Sequence, residues 1–246
     1  MTSAYYVPPD RIDGTVVSFP EAELRHLTRV LRLAPPAVVE VIDGAGGRYQ
    51  VELTVGVAGR VEGRVLEKLL VQQERPLVGV ALAVCRPERM KLAAEKLAEL
   101  SCHRLVLIRT GYVDYAGNLE ALREKLSRVA VSALKQSRSP WLMRIDTGVD
   151  LAELIARAGK DCCPVFCQRA AENELAAPGS IRLPQAAEYL LVVGPEGGFT
   201  AQEAELIRNS RLPRLHLGEH WLRAETAAVA GLVLLRQIVS GGLGLY

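Results

Sequence analysis

The sequence predicts an α/β protein in which a small β domain precedes a larger domain built on a parallel sheet. Two observations support this: apolar and polar residues alternate within the first 72 residues, and strand-like and helix-like segments alternate after residue 76. Alternation with a period of two is typical of half-buried strands, whereas the strands of a buried parallel sheet are apolar throughout. The polar run at residues 72–76 separates the two patterns, so we predict domains at residues 1–72 and 73–246.

The front domain is predicted to be mainly β. Residues 49–57 and 61–65 alternate apolar with polar side chains, and residues 38–42 form an apolar segment before them. The glycines within residues 43–47 tolerate positive φ, which permits a tight reversal of the chain before residue 49. These segments predict three strands.

A helix is predicted near residues 21–33, and it is a candidate for contact with nucleic acid. Arg25, Arg29 and Arg32 lie at positions i, i+4 and i+7 and share one narrow face. Guanidinium groups in a row suit phosphate, but acidic residues slightly outnumber basic ones in residues 1–72, so a solvated polar face is the alternative. A second basic run that could extend this surface consists of Lys125, Arg128, Lys135 and Arg138.

The larger domain is predicted from the order of its elements. Strands are predicted at residues 78–84, 104–108, 164–167, 189–193 and 214–217. Helices are predicted at residues 87–101, 119–136 and 225–239, and the last helix is rich in small residues. This order predicts a parallel sheet with helices on both faces.

Ligands of open α/β sheets bind beyond the carboxyl ends of the strands, so the loops there are candidate sites. Residues 193–200 place three glycines around Pro195 and Glu196, which lets a ligand approach the backbone. The alternative is that these glycines only satisfy a turn from strand to helix. Thr200 and Glu203 match a capping box for the next helix.

Two further loops follow predicted strands. Residues 217–227 carry Arg223, Glu225 and Thr226 close to the start of the last helix. Glu225 suits the positive end of the helix dipole, which is a structural explanation for it, whereas Arg223 has no such explanation. Residues 167–174 are polar and give only a weak signal.

Composition excludes several classes of protein. The net charge of +2 is too small to predict a polyanionic partner by itself, and no apolar run approaches the roughly 18 residues of a membrane span. Five cysteines in mostly apolar runs indicate reduced thiols, and no secretory leader is evident, so a cytoplasmic protein without membrane contact is expected.

The spacing of His216 and His220 does not predict a metal site. Motifs of P-loop NTPases, Rossmann dehydrogenases and α/β-hydrolases are missing.

The loop motifs resemble the RsmE family of SPOUT-class methyltransferases. Residues 194–200 are G-P-E-G-G-F-T with a following Glu203, and residues 222–227 are L-R-A-E-T-A. The front of the chain, with residues 26–32 and Asp43-Gly44, resembles the PUA-like β domain of the family. The middle matches at Lys91, Lys96, Glu99, Leu100 and residues 135–137. The resemblance spans essentially the whole chain.

The resemblance implies a fold, a reaction and partners. Members of the family methylate N3 of a uridine in small-subunit (16S) ribosomal RNA with S-adenosylmethionine, and they pair as homodimers. Their catalytic domain contains a C-terminal trefoil knot, an exception to the rule against knotted chains. The expected partners are therefore 16S ribosomal RNA or the small ribosomal subunit, and a second copy of the chain. The last helix, with Ala227, Ala228, Ala230 and Gly231, is the expected contact face for the second copy.

The resemblance also implies site residues. Arg223 is expected to stabilise negative charge on the uracil, and Glu196 or Glu225 to accept a proton or orient the base. The expected cofactor-binding residues are Cys167, Val193, Gly194, Glu196, Gly197, Gly198, Leu217, Gly218, Leu222, Arg223, Thr226 and Ala227. The expected RNA-binding residues are Arg25, His26, Arg29, Arg32, Lys91, Gln136 and Arg138.

Some positions depart from the family pattern, namely Ser101, Trp221 and residues 108–112 and 136–140. They leave two alternatives open. One is a methyltransferase of the same fold that acts on another RNA position, for example in transfer RNA. The other is a non-catalytic RNA-binding factor that keeps the fold.

Overall fold

The computed structural model describes residues 4–27, 36–55, 61–112, 115, 117–168 and 183–241. The chain forms two compact units. The first comprises Met1–Gln73 and Val131–Leu142, and the second comprises Glu74–Ala130 and Met143–Tyr246. The first unit thus includes a segment that comes much later in the sequence, which residue periodicity does not predict.

The first unit contains a six-stranded sheet. Its strands are β1 (Tyr5–Tyr6), β2 (Ile12–Asp13), β3 (Val16–Val17), β4 (Ala37–Ile42), β5 (Gly47–Val55) and β6 (Val61–Leu70). They are arranged in the order β1-β4-β5-β6-β3-β2. β1 and β4 are parallel, and the other neighbours are antiparallel.

The predicted alternation is confirmed from Tyr49 to Leu53 of β5, whereas Val55 is exposed and residues 56–57 lie outside the described residues. Tyr49, Val51 and Leu53 are buried in the core of the unit, and the side chains between them are half-buried or exposed. The predicted reversal before β5 is built around one carboxylate. Asp43 Oδ1 accepts hydrogen bonds from the backbone N–H groups of Ala45 (2.7 Å) and Gly47 (2.8 Å), and Oδ2 accepts one from the Tyr49 hydroxyl (3.0 Å).

The first helix, α1 (Glu21–Arg25), is seen only in part of the predicted range, because residues 28–35 lie outside the described residues. Arg29 and Arg32 fall within that range, so the stripe of three arginines stays a prediction. Glu23 of α1 is buried, and both its carboxylate oxygens accept hydrogen bonds from Lys135 Nζ, at 2.6 and 2.9 Å. Lys135 of the predicted basic run is therefore committed to an internal ion pair.

The second unit is the predicted parallel α/β structure. Its strands are β7 (Leu77–Ala83), β8 (Arg104–Arg109), β9 (Arg144–Asp150), β10 (Cys162–Gln168), β11 (Glu188–Val193) and β12 (Arg214–His216), in the order β12-β10-β11-β7-β8-β9. All neighbouring strands are parallel. Its helices are α2 (Pro87–Glu99), α3 (Leu119–Ser137, whose end from Val131 belongs to the first unit), α4 (Leu151–Ala156), α5 (Ala201–Ser210) and α6 (Ala224–Val239).

Small residues let α6 pack closely on the sheet. Ala227, Ala228 and Gly231 are buried, and a Cβ atom at Gly231 would lie 2.6 Å from Leu191 Cδ2. This finding corrects the expectation that the small residues of this helix form an outward contact face. Three of them face the core of their own chain, and only Ala230 is exposed.

The trefoil knot stays a prediction, because the connection from β10 to β11 includes residues 169–182, which lie outside the described residues. Among the described helices, none combines the length and the apolar character needed to cross a membrane. No disulfide bond joins the five cysteines, all of which are described.

Candidate active site

A pocket lies at the carboxyl ends of three neighbouring strands, β11, β10 and β12, where parallel sheets bind ligands. Nine of the twelve predicted cofactor residues line it. They are Cys167, Val193, Gly194, Glu196, Gly198, Leu217, Gly218, Leu222 and Ala227. The sequence motifs therefore converge in space on one site.

Sequence analysis missed six lining residues. They are Gln168, Pro195, Phe199, His220, Trp221 and Ala224. Five of them are next in sequence to a predicted residue, so a rule that extended every motif position to its neighbours would have found these five, whereas His220 has no predicted neighbour.

The backbone of this pocket suits a flat ligand that is held closely. Gly198 and Gly218 have φ values of +75° and +92°, and a Cβ atom at either would have no neighbour within 4 Å. Glycine is required there by conformation, and its missing side chain leaves open space beside the pocket wall. At Gly194 the reason differs, because a Cβ would lie 2.8 Å from the Phe199 ring. We call residues 194–198 the glycine loop, and its missing side chains leave backbone exposed at the pocket wall.

The end of the glycine loop is fixed by the predicted capping box. Glu203 Oε2 accepts a hydrogen bond from the Thr200 N–H (2.8 Å), and Thr200 Oγ1 accepts one from the Glu203 N–H (3.2 Å). The other carboxylate oxygen of Glu203 accepts a hydrogen bond from the Gly111 N–H (2.8 Å). One side chain therefore caps α5 and holds the loop that follows β8.

Glu196 of the glycine loop forms an ion pair with Arg89 of α2. The Arg89 side chain is 23% exposed and the Glu196 side chain 38%, so the pair is partly shielded from water. Arg89 is more than one hundred residues earlier in the chain, and no local pattern in the sequence marks it. The Arg89 guanidinium therefore occupies one side of the Glu196 carboxylate.

Three predicted cofactor residues, Gly197, Arg223 and Thr226, do not line the pocket. Arg223 is exposed at the N-cap position of α6, between the lining residues Leu222 and Ala224. Thr226 lines a separate groove between α2 and α6, together with Glu225. Glu225 is buried, and its Oε2 atom has no hydrogen-bond partner among the described residues.

Cys167 is the thiol at the pocket. Burial raises its pKa to about 12, so the thiol keeps its proton at neutral pH. Thiolate attack is therefore not a chemistry that this pocket supports. Within the described part of the chain, no three His, Cys, Asp or Glu side chains converge as metal ligands.

The predicted RNA-binding residues that are described have different surroundings. Arg25 and Gln136 are exposed, and Lys91 contacts Glu88 at 3.4 Å. Arg138 contacts Glu40 at 3.4 Å. His26 is half-buried against the Tyr5 ring, 6.0 Å between centroids. All but Lys91 belong to the first unit.

Comparison with known proteins supplies the family. The model of the RNA methyltransferase domain matches residues 73–236, and the model of the RNA methyltransferase PUA domain matches residues 19–65. Ribosomal RNA small subunit methyltransferase E of Synechocystis sp. is 26% identical over 239 residues, which cover 95% of this chain and 77% of that protein. The protein of the same name from Mycobacterium bovis is 27% identical over 237 residues, 93% of this chain and 88% of that protein.

A solved structure shares the fold. It is a ribosomal RNA small subunit methyltransferase E from Neisseria gonorrhoeae bound to S-adenosyl methionine, with a TM-score of 0.81 and 24% identity over 96% of this chain and 97% of that chain. The names of the relatives confirm the resemblance drawn from the sequence motifs. Because the first family model spans most of the chain, the protein belongs to the RNA methyltransferase family.

Proposed function

We propose that the protein methylates N3 of a uridine in small-subunit (16S) ribosomal RNA and that its cofactor is S-adenosylmethionine. The observation that carries this proposal is the convergence of the glycine loop and the loop after β12 on one pocket. The curated relatives named above, which act on small-subunit ribosomal RNA by name, support the substrate class.

The residues present fit this cofactor. Val193, Leu217 and Leu222 offer apolar contact for an adenine ring, and Gly198 and Gly218 leave its edge open to backbone amides and carbonyls. When bound, S-adenosylmethionine supplies an electrophilic methyl group on a sulfonium. The protein has to orient this group toward the attacking nitrogen of the base.

The reaction requires removal of a proton, because N3 of neutral uracil carries one. As N3 forms its bond to the methyl carbon, the carbon–sulfur bond breaks and the electron pair stays on sulfur. Arg223 is assigned to stabilise the negative charge that develops on the uracil oxygens. Glu196 is assigned to accept the proton or orient the base, in preference to Glu225, since Glu196 lines the pocket.

The front domain, residues 1–72, is assigned to RNA binding. A match to the PUA domain of RNA methyltransferases at residues 19–65 supports this role. Arg25, His26, Arg29 and Arg32 are the proposed contacts there, with Lys91, Gln136 and Arg138 elsewhere in the chain. The proposed substrate is the RNA or the small subunit itself, in the cytoplasm.

The homodimer is part of the same proposal, with the groove between α2 and α6 as its contact. Leu92 and Val233 in this groove expose 47% and 43% of their surfaces. Lys96 also lines the groove, and its charge is already balanced within its own chain by Glu95 (2.7 Å) and Glu99 (2.9 Å).

The test is methyl transfer from labelled S-adenosylmethionine to small subunits and to free 16S RNA, with the product nucleoside identified by mass spectrometry. We expect N3-methyluridine, and about a hundredfold lower kcat for Arg223→Ala. Calorimetry with the cofactor should show binding to the wild type and to Arg223→Ala, but not to Gly198→Val. A methyl group on another nucleoside would favour the alternative substrate, and a folded protein without cofactor binding would favour the non-catalytic alternative.

A further inference from the structure

The two aromatic side chains that are exposed in the described chain both lie on loops beside the pocket. Trp221 exposes 80% of its surface and lines the pocket on the loop after β12. Tyr112 exposes 55% and follows β8. A Cβ atom at Gly197 would lie 3.7 Å from Tyr112 Cβ, so this tyrosine borders the glycine loop. Both side chains follow strands at the carboxyl end of the sheet, where ligands of parallel sheets bind.

We propose that Trp221 is a stacking platform for an unpaired nucleobase of the RNA substrate, with Tyr112 on the loop after β8 as a second aromatic contact. The proposal rests on the proposed function, since it names the chemistry that positions RNA at the methyl-transfer site. Trp221 is a positioning residue in this scheme.

The high exposure of the Trp221 ring favours an RNA base, rather than the adenine of the cofactor, as its stacking partner. The inner wall of the pocket is formed by side chains that are nearly inaccessible, such as Val193 (3% exposed) and Ala224 (4%). A ring with four-fifths of its surface in solvent stands at the mouth instead. It is placed to meet a ligand that approaches the pocket from solvent.

The neighbours of Trp221 have the chemistry of a nucleotide contact. His220 and Arg223 are both exposed on the same short loop, so a hydrogen-bond donor and a cation flank the ring. Sequence-specific RNA recognition uses unstacked bases that lie on aromatic rings while cations contact phosphate or base oxygens. Such stacking tolerates every base, so it positions the strand without selecting the sequence.

Fluorescence tests the proposal directly, because the chain has only two tryptophans. Trp141→Phe leaves Trp221 as the single emitter, and it removes an indole N–H that has no hydrogen-bond partner among the described residues. Short oligouridine should quench the emission of this variant, with or without the cofactor. S-adenosylmethionine alone should leave most of the emission unchanged. Full quenching by the cofactor, with no further change on adding RNA, would overturn the proposal.

Variants separate stacking from simple apolar contact. Trp221→Leu should weaken oligouridine binding and raise KM for RNA by about tenfold, whereas Trp221→Phe should keep most of the affinity. The dissociation constant for S-adenosylmethionine should change less than the dissociation constant for oligouridine in both variants, because Trp221 is the most exposed large apolar side chain of the pocket lining. Equal RNA affinity for the wild type and Trp221→Leu would show that the ring does not stack. Quenching by RNA in a protein that does not bind the cofactor would support the platform and overturn the proposed methyl transfer.

Discussion

Arg89 of α2 and Glu196 of the glycine loop form an ion pair that ties a helix to the loop most closely associated with the pocket. The glycine loop has few side chains with which to make contacts, because three of its five residues are glycines. A single charged pair therefore has a large share in fixing the position of Glu196.

Replacing Arg89 with alanine should weaken cofactor binding by about fivefold, since a partly exposed ion pair contributes about 1 kcal/mol. Arg89→Lys should restore part of the affinity, because it keeps the charge without the planar geometry of the guanidinium. Calorimetric titration with S-adenosylmethionine measures both. Arg123→Ala, which removes an exposed ion pair with Glu120 on α3, is the matched control and should bind as the wild type does. Equal affinity in Arg89→Ala would contradict a positioning role.

Glu23→Ala should lower the free energy of unfolding by about 2 kcal/mol, because it leaves the ammonium of Lys135 poorly hydrated and unpaired. Glu23→Leu combined with Lys135→Met should be close to the wild type, since two apolar groups need no partner. Urea unfolding followed by circular dichroism measures the difference. If the single and double variants lost the same stability, the pair would not be the cause.

Stability should fall in mildly acidic solution through His103. Burial, with Arg144, Arg104 and Arg75 nearby, lowers the pKa of His103 to about 4. In the unfolded chain the imidazole has a pKa near 6.5, so the unfolded state takes up the proton first as the pH falls. The folded state therefore loses stability between about pH 6.5 and pH 4. The melting temperature should drop less from pH 7.5 to 5.5 in His103→Gln than in the wild type, and equal drops would contradict this assignment.

Ser101→Gly should stabilise the second unit by about 0.5–1 kcal/mol. Ser101 has a φ of +55° just after α2, a left-handed conformation in which a Cβ atom is strained. Ser132→Gly in the exposed part of α3 should have the opposite sign, because glycine weakens a helix interior. Thermal melting compares the two, and a lower melting temperature for Ser101→Gly would contradict the prediction.

Val233→Glu and Leu92→Glu should each convert the proposed dimer to a folded monomer, because a buried unpaired carboxylate destabilises an apolar contact. Leu206→Glu on α5 is the control, since Leu206 is exposed outside the groove and should leave the dimer intact. Size-exclusion chromatography with light scattering gives the mass. Dimers in both groove variants would place the contact elsewhere.

Much of the second unit could be predicted because its strands carry the apolar character of buried parallel strands, as Tyr189 to Val193 illustrates. β9 and α4 were not predicted, since β9 is a mostly polar edge strand and α4 has only six residues. The two-residue strands β1, β2 and β3 are too short for any periodicity.

The pocket residues that could be predicted from the sequence are those that belong to short continuous motifs. Gly194, Gly198 and Gly218 stand in recognisable motifs, and Thr200 with Glu203 satisfies a spacing rule. Arg89 was not predictable, because its pairing with Glu196 arises only when the α2 helix and the glycine loop meet in the folded chain. The sequence marks Trp221 only as a departure from the family pattern. Its exposed position in the pocket lining, which suggests a role in ligand contact, emerges only in the fold.

The two hydrogen-bonding oxygens of Glu203 link the loop that carries Gly111 to the loop that ends at Thr200. If only one of these loops became ordered, it would lose conformational entropy while Glu203 formed only one of its two hydrogen bonds to the loops. Once one loop is held, the second is restrained at a smaller entropic loss, so a ligand that orders the glycine loop also orders the backbone beside Tyr112. Order would thus spread from the cofactor pocket to the surface that meets the substrate, and a bound cofactor would prepare the protein for its second ligand.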